Sequence, residues 1–171
     1  MIAPELQIPS SKCTSSLVSL FAVFDGHGGS QCSAFCAQHL VETVSKALSD
    51  YEDCVEALRA AIFDLNKRAI KSTTDKSGST ACVVMIDHAT RDLWCCNVGD
   101  SRCLLINDNC SRVQQLSEDH HPEKPSERKR IESGGGWIKY GKVCGILSVS
   151  RAIGMPSHIL VPDNYCTSMH R

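Results

Sequence analysis

The sequence has no apolar run near the roughly 20 residues that a membrane-spanning helix needs. Met1–Ser19 also lacks a basic start followed by a sustained apolar segment. The expectation is a soluble, non-secreted, cytoplasmic protein without a membrane partner. Charge of one sign is not in excess, since 18 Lys and Arg stand against 19 Asp and Glu. No global field therefore draws the chain to nucleic acid. The 11 cysteines contain no CxxC pair, and their odd number argues against a closed disulfide framework. A zinc ribbon is a poor reading for the same reason. Cys82, Cys95, Cys96 and Cys103 instead fall in strand-like runs, where a reduced thiol behaves as a small apolar group. Internal repeats, coiled-coil heptads and low-complexity tracts are missing too. What remains is 171 residues, enough for one domain with a sizeable core.

That domain is organised around Leu20–Gly29, LFAVFDGHGG. The apolar run Leu20, Phe21, Ala22, Val23 and Phe24 reads as a strand buried on both faces. Asp25, Gly26, His27, Gly28 and Gly29 then follow without a spacer. Asp25 offers a hard carboxylate oxygen, and glycines on each side of His27 leave backbone carbonyls uncovered, which is the pattern of a cation site. An ordinary strand-to-helix turn, with Asp25 as a cap, uses the same residues.

Met1–Ser16 reads as a loose N-terminal arm, and residues 17–171 as the domain. A strand over Leu17–Phe24 precedes a helix capped by Ser30, with Phe35, Leu40, Val41, Val44, Ala47 and Leu48 near one face. From Cys54 the spacing Val55, Leu58, Ala61, Ile62, Leu65 and Ala69 predicts a second amphipathic helix. Ser72–Ser79 is a polar connection. Strands are expected over Thr80–Ile86, Leu93–Val98, Arg102–Ile106 and Val113–Leu116, joined as hairpins. A short helix over Lys124–Ser133, stopped by Gly134, precedes strand character around Trp137–Tyr140 and Val143. Helices between hairpin-built sheets imply a layered α+β domain.

Three further stretches accompany DGHGG in order: GSTACVV at Gly78–Val84, NVGDSR at Asn97–Arg102 and GILSVSRAIG at Gly145–Gly154. With these four motifs the sequence resembles the metal-dependent serine/threonine protein phosphatases of type 2C, from about Leu20 to Gly154. The resemblance implies a sandwich of two mainly antiparallel β-sheets flanked by helices. It implies a hydrolase that cleaves phosphoserine and phosphothreonine in phosphoprotein substrates with water activated by two Mg2+ or Mn2+ ions. Asp25 matches the bridging metal ligand, Gly26 a carbonyl ligand, His27 the proton donor to the leaving oxygen, and Asp100 a ligand of a third, weaker metal. Read locally, Asp100 could instead pair with Arg102 or cap its turn.

Departures from the family pattern are equally specific. Met1–Ser19 carries no arginine to grip phosphate, Met155 stands where an aspartate follows the SRAIG motif, and Asp163–Asn164 resemble a later aspartate motif only superficially. These departures imply a partial catalytic domain, the front half of the fold with its C-terminal part missing. Its open sheet edges would then invite a protein partner. A catalytically inactive truncated isoform or pseudophosphatase with a binding role is the alternative to an active enzyme.

Other clusters have plainer readings. Glu118–His121 is dense in metal-capable groups, yet Asp119, His121 and Pro122 match a structural loop of the family. Cys32, Cys36 and His39 could present soft ligands on one helix. Ser148 and Ser150 lack an activating histidine, Arg151 reads as structural, and Glu127–Arg130 as a solvated helix face. Gly78, Ser79 and Thr80 read as close packing at a strand start.

Overall fold

The structure is a computed structural model that describes residues 6–7, 17–106, 109–155 and 166–169. In chain order the elements are β1 (Leu6–Gln7), β2 (Leu17–Val23), β3 (Gly26–His27), α1 (Gln31–Asp50), α2 (Cys54–Ser72), β4 (Gly78–Ser79), β5 (Ala81–Asp87) and β6 (Leu93–Val98). After them come β7 (Leu104–Ile106), β8 (Val113–Gln115), α3 (Pro125–Ser133), β9 (Ile138–Lys139), β10 (Lys142–Val143) and β11 (Cys166–Met169). Both amphipathic helices and the β5–β6 hairpin thus occur close to where the apolar pattern places them, and α3 where Pro125 and Gly134 place it. Asp163, Asn164 and the turn at Asn107 and Asp108 lie outside the described residues.

β1, β2, β5, β6 and β11 form one antiparallel sheet in that order. Two of these pairings depart from the expectation. Leu6–Gln7, within the stretch read as a loose arm, pairs with Leu17 and Val18, and Cys166–Met169 pairs with Leu93–Cys96. The sheet edges, expected to be open, are therefore covered in part by the chain's own segments, β1 along Leu17 and Val18 and β11 along Leu93–Cys96.

The sheet has two unlike faces. On one, Val18, Leu20, Ala22, Ala81, Val83 and Met85 pack against the apolar stripes of α1 and α2 in the main core. The opposite face corrects the doubly buried strand, because Phe21 and Val23 are 37% and 56% exposed. Alternation along an antiparallel strand, not a buried parallel run, is what these residues encode. The β7–β8 hairpin covers only part of this second face, where Leu105 and Leu116 pack with Cys82, Val84 and Cys95. Two sheet layers with helices outside make the fold α+β, as expected from the motif order.

Local chemistry explains the helix ends. Asp53 caps α2 by accepting from the Glu56 N–H at 2.9 Å. Ser30 occupies the first cap position of α1 but makes no side-chain cap bond. That task falls to a distant loop, where Asp75 Oδ2 accepts from the Gln31 N–H at 3.3 Å and Ser77 Oγ from the Cys32 N–H at 3.0 Å. The two helices are joined laterally by Arg68, which donates to Thr43 Oγ1 at 3.0 Å and lies 3.1 Å from His39 Nδ1. β9 and β10 close through Tyr140 (φ 55°) and Gly141 (φ 70°), the paired left-handed conformations of a tight hairpin turn.

Leu58, fully buried between α2 and the sheet, should cost about 2–5 kcal/mol on Leu58→Ala. Val23→Ser, on the open face, should cost under about 1 kcal/mol. Urea unfolding of both variants checks this contrast.

Candidate functional site

Asp25 sits just past the end of β2, and its backbone is clamped from β5's entry. Its carbonyl accepts from the Thr80 N–H at 2.9 Å and from Ser79 Oγ at 3.3 Å, while its N–H donates to Thr80 Oγ1 at 3.0 Å. The main chain is thereby satisfied, and the carboxylate projects into solvent with no hydrogen-bond donor on it among the described residues. Gly26 and His27 then pair antiparallel with Ser79 and Gly78. A side chain at position 26 would lie 2.7 Å from Ser33 Oγ, so glycine is required for α1 to start this close.

His27 is half-buried, and its Nε2 has no hydrogen-bond partner among the described residues. The ring lies against Gly78, where an added Cβ would be 2.4 Å from Nε2 and 3.1 Å from Met155 Cε. Burial lowers the His27 pKa, against the opposing fields of Asp25 and Asp100. Two turns, DGHGG after β2 and the Gly99 turn after β6, bring Asp25, His27 and Asp100 to one end of the main sheet, where both carboxylates act on the ring.

Asp100 depends on the Gly99 turn. Gly99 has φ +102°, and a Cβ there would come 2.6 Å from Thr80 Cγ2. Its N–H donates to His120 Nδ1 at 3.1 Å, and its carbonyl accepts from the His120 N–H at 2.9 Å and from Asn97 Nδ2 at 3.2 Å. Thr80 Oγ1 also lies 2.7 Å from Ser101 Oγ, so one hydroxyl joins the Asp25 and Asp100 turns. Burial pushes His120 down to about 4, with Arg151 adding to the effect, so the ring is neutral at pH 7.

The local alternative for Asp100 does not form: Arg102 turns to Asp119, with Nε donating to Oδ1 at 3.2 Å and a second, short bond from its other nitrogen. This guanidinium holds the Asp119 carboxyl below its ordinary range. Glu118 pairs with Lys124 at 2.9 Å, and His121 lies 3.7 Å from Asp119. The dense acidic and histidine loop is thus a brace for the Asp100 turn. Glu127 is a second correction. It is buried, not solvated, and accepts from Ser150 Oγ at 2.7 Å, Arg130 at 2.8 Å and Arg151 at 2.5 Å. Burial alone would raise its pKa, but these bonds outweigh it and hold the carboxyl below the ordinary range.

Cys32 and Cys36 are wholly buried, Cys32 Sγ donating to the Ile153 carbonyl at 3.4 Å, and His39 faces Arg68. Among the described residues no group of three or more His, Cys, Asp or Glu side chains converges as a metal-ligand set. Sequence reasoning underrated Thr80, Ser79 and His120, which position the site. The available signal was a pair of hydroxyl residues at a strand start beside a glycine, capable of bonding backbone as well as packing.

A family model described as protein phosphatase 2C matches residues 5–157. Protein phosphatase 2C homolog 3 of Schizosaccharomyces pombe is 37% identical over 142 residues, covering 80% of this chain and 33% of the relative. The human integrin-linked kinase-associated serine/threonine phosphatase 2C is 36% identical over 169 residues, covering 90% and 42% respectively. The chain therefore spans less than half the length of these curated relatives. Among solved structures, a C. elegans sex determining protein aligns with a TM-score of 0.76 and 30% identity over 91% of this chain and 40% of that one. A phosphatase from Toxoplasma gondii shares the fold at a TM-score of 0.72 and 23% identity, over 88% of this chain and 64% of that one.

Two outcomes follow from the Gly99 junction. Gly99→Ala combines a disfavoured φ with a clash on Thr80 and should destabilise the protein by about 1–3 kcal/mol in urea unfolding. His120 binds a proton below about pH 4 when folded and near 6.5 when unfolded. Between those values the unfolded chain holds the extra proton, so stability should fall as pH drops from 6.5 to 4, by up to about 1.4 kcal/mol per unit. His27 acts in the same direction, and His120→Gln should remove the larger part of this slope.

Proposed function

The chain belongs to the protein phosphatase 2C family, and from that premise we propose that it carries the ester-cleaving end of a metal-dependent protein serine/threonine phosphatase. Its substrate class is phosphoserine and phosphothreonine in proteins. The observation that carries this reading is the meeting of Asp25, His27 and Asp100 at one sheet end, with the His27 Nε2 and the Asp25 carboxylate unclaimed by protein partners among the described residues.

An exposed, donor-free carboxylate beside a strand-end glycine fits a hydrated divalent cation, Mg2+ or Mn2+, held by Asp25 and the Gly26 carbonyl, with Asp100 beside it. When bound, such a cation supplies water acidic enough to attack phosphorus near neutral pH. The chain's own residues do the rest. Thr80 and Ser79 hold the Asp25 backbone so that the carboxylate does not swing with its turn. His27 would supply a proton to the departing serine or threonine oxygen, for which its buried Nε2 must turn out from Gly78. Burial keeps the ring neutral in the resting site, and a phosphate dianion brought against it raises its pKa and charges it for that step.

A second reading, a binding protein without turnover, is favoured by one specific observation. Met155 places an apolar methyl beside the Gly78–His27 contact, and among the described residues no three His, Cys, Asp or Glu side chains converge as a metal-ligand set. Two dications close together need several carboxylates to offset their repulsion. The disulfide-free described cysteines support a reducing, cytoplasmic setting for either reading.

Manganese titration by calorimetry should show binding that Asp25→Asn weakens by at least about tenfold. Unchanged binding in the variant would overturn the site. On the binding-only reading, the purified chain given excess manganese hydrolyses p-nitrophenyl phosphate no faster than Asp25→Asn. A manganese-dependent rate that vanishes in the variant would instead discard the binding-only reading and show that further ligands complete the centre.

A further inference from the structure

Three thiols from separate segments meet on the sheet face away from the helices. Cys82 lies on β5 and Cys95 on β6, one diagonal step apart, because the register sets Val84 opposite Cys95 and Cys82 opposite Asn97. Cys103 enters from the residue before β7, and all three pack in one apolar cluster with Leu116 and Leu105. The three pack in one cluster, near enough for each to influence the ionisation of the other two. Cys82 and Cys95 are only 7% and 2% exposed, whereas Cys103 is partly open to solvent.

This combination of a reachable sulfur and adjacent thiols does not recur among the other described cysteines. Cys32 and Cys36 touch each other but are sealed in the core. Cys110 and Cys144 are reachable, but no thiol lies beside either among the described residues. Nor do the three converge as a metal-ligand group, which leaves pairwise sulfur chemistry. The Cys103 backbone is held on both sides, its N–H donating to Ser117 Oγ at 2.8 Å and its carbonyl accepting from the Leu116 N–H at 2.9 Å. Neighbours in one packed cluster are the pairs whose sulfurs side-chain rotation can bring toward the roughly 2.05 Å of a disulfide.

We propose that Cys103 is a peroxide-reactive site whose sulfenic acid is closed to an internal disulfide by Cys82 or Cys95. In the first step the Cys103 thiolate takes one oxygen from hydrogen peroxide, the O–O bond breaks, and hydroxide leaves. In the second, the neighbouring thiol attacks that sulfur, the S–S bond forms, and the oxygen leaves as water. Two sulfurs together lose two electrons, peroxide gains them, and the protons released by the two thiols end in water. Hydrogen bonds received from Cys82 and Cys95 pull the Cys103 thiol below its ordinary range, and its bond to Cys103 is the first cause that pushes Cys82 up to about 12. The reachable sulfur is thus the one favoured to ionise, while burial disfavours charge on its neighbours, which bring their protons to the second step. This site is independent of the metal end and of the phosphatase reading.

The test is peptide mapping of the intact, fully reduced chain treated with limiting hydrogen peroxide and quenched by alkylation. Cys103 should lose its thiol roughly tenfold faster than exposed Cys110 in the same molecule. Its peptide should be found joined to that of Cys82 or Cys95, with a loss of about two mass units for two hydrogens. Cys103→Ser should abolish that link and leave Cys82 and Cys95 as thiols. The comparison with Cys110 stands on wild-type protein even if the variant does not fold. Oxidation of Cys110 ahead of Cys103, Cys103 trapped only as an unresolved oxyacid, or links chiefly between molecules would each overturn the proposal.

Discussion

The clasp between the Asp25–His27 turn and the start of β5 is the constraint on which the rest of this molecule depends. A strand that ends in Asp-Gly-His-Gly-Gly leaves backbone groups to be satisfied, and water competes for them unless another segment arrives with matching donors and acceptors. Ser79 and Thr80 provide these, and the two-residue β3–β4 ladder extends the same contact. With the main chain saturated, the Asp25 carboxylate is held outward at little entropic cost when it meets a ligand. The same Thr80 hydroxyl reaches Ser101, which makes the two acidic turns one unit rather than two independent loops.

Around this clasp stand two braces of different energetic character. His120 is a neutral, buried partner for the Gly99 backbone, and its benefit lies in satisfying polar groups that would otherwise be stranded. Glu127 with Arg130, Arg151 and Ser150 is a buried charge network, whose desolvation cost is offset only because every partner is present. Removing one partner would leave an uncompensated charge inside the protein. Such a network contributes less to net stability than to fixing one position of the segment that carries Arg151. That segment continues to Ile153, which exchanges backbone hydrogen bonds with Ser79, and to Gly154, whose N–H donates to Asn66 on α2.

The two sheet faces divide the labour of the fold. The helix-covered face holds a continuous apolar core and supplies most of the burial that opposes chain entropy. The other face is only partly covered, with Phe21 and Val23 exposed on it and Leu104, Ile106 and Val113 exposed on the β7–β8 hairpin, and it is under that hairpin that the three thiols gather. Sulfur in such a half-covered layer fills space as an apolar group while staying within reach of small reactive solutes.

Periodic apolar spacing by itself determined α1, α2 and the β5–β6 hairpin, and Pro125 with Gly134 marked α3, because local patterns need no knowledge of the partner surface. The four ordered motifs likewise carried the family and the placement of Asp25, His27 and Asp100 on turns. Tertiary structure decided what spacing could not encode. Ser30 has the chemistry of a cap, yet Asp75 and Ser77 cap α1 from more than forty residues away. Glu127 sits in a run of charges that looks solvated, and only the arrival of Arg151 from a later loop makes its burial tolerable. Arg102 had an acid two residues before it and chose Asp119 instead, since the fold presents that carboxylate in the geometry of a guanidinium fork. Each of these outcomes is a long-range polar pairing, whose partner is chosen by three-dimensional geometry and leaves no periodic trace in the chain.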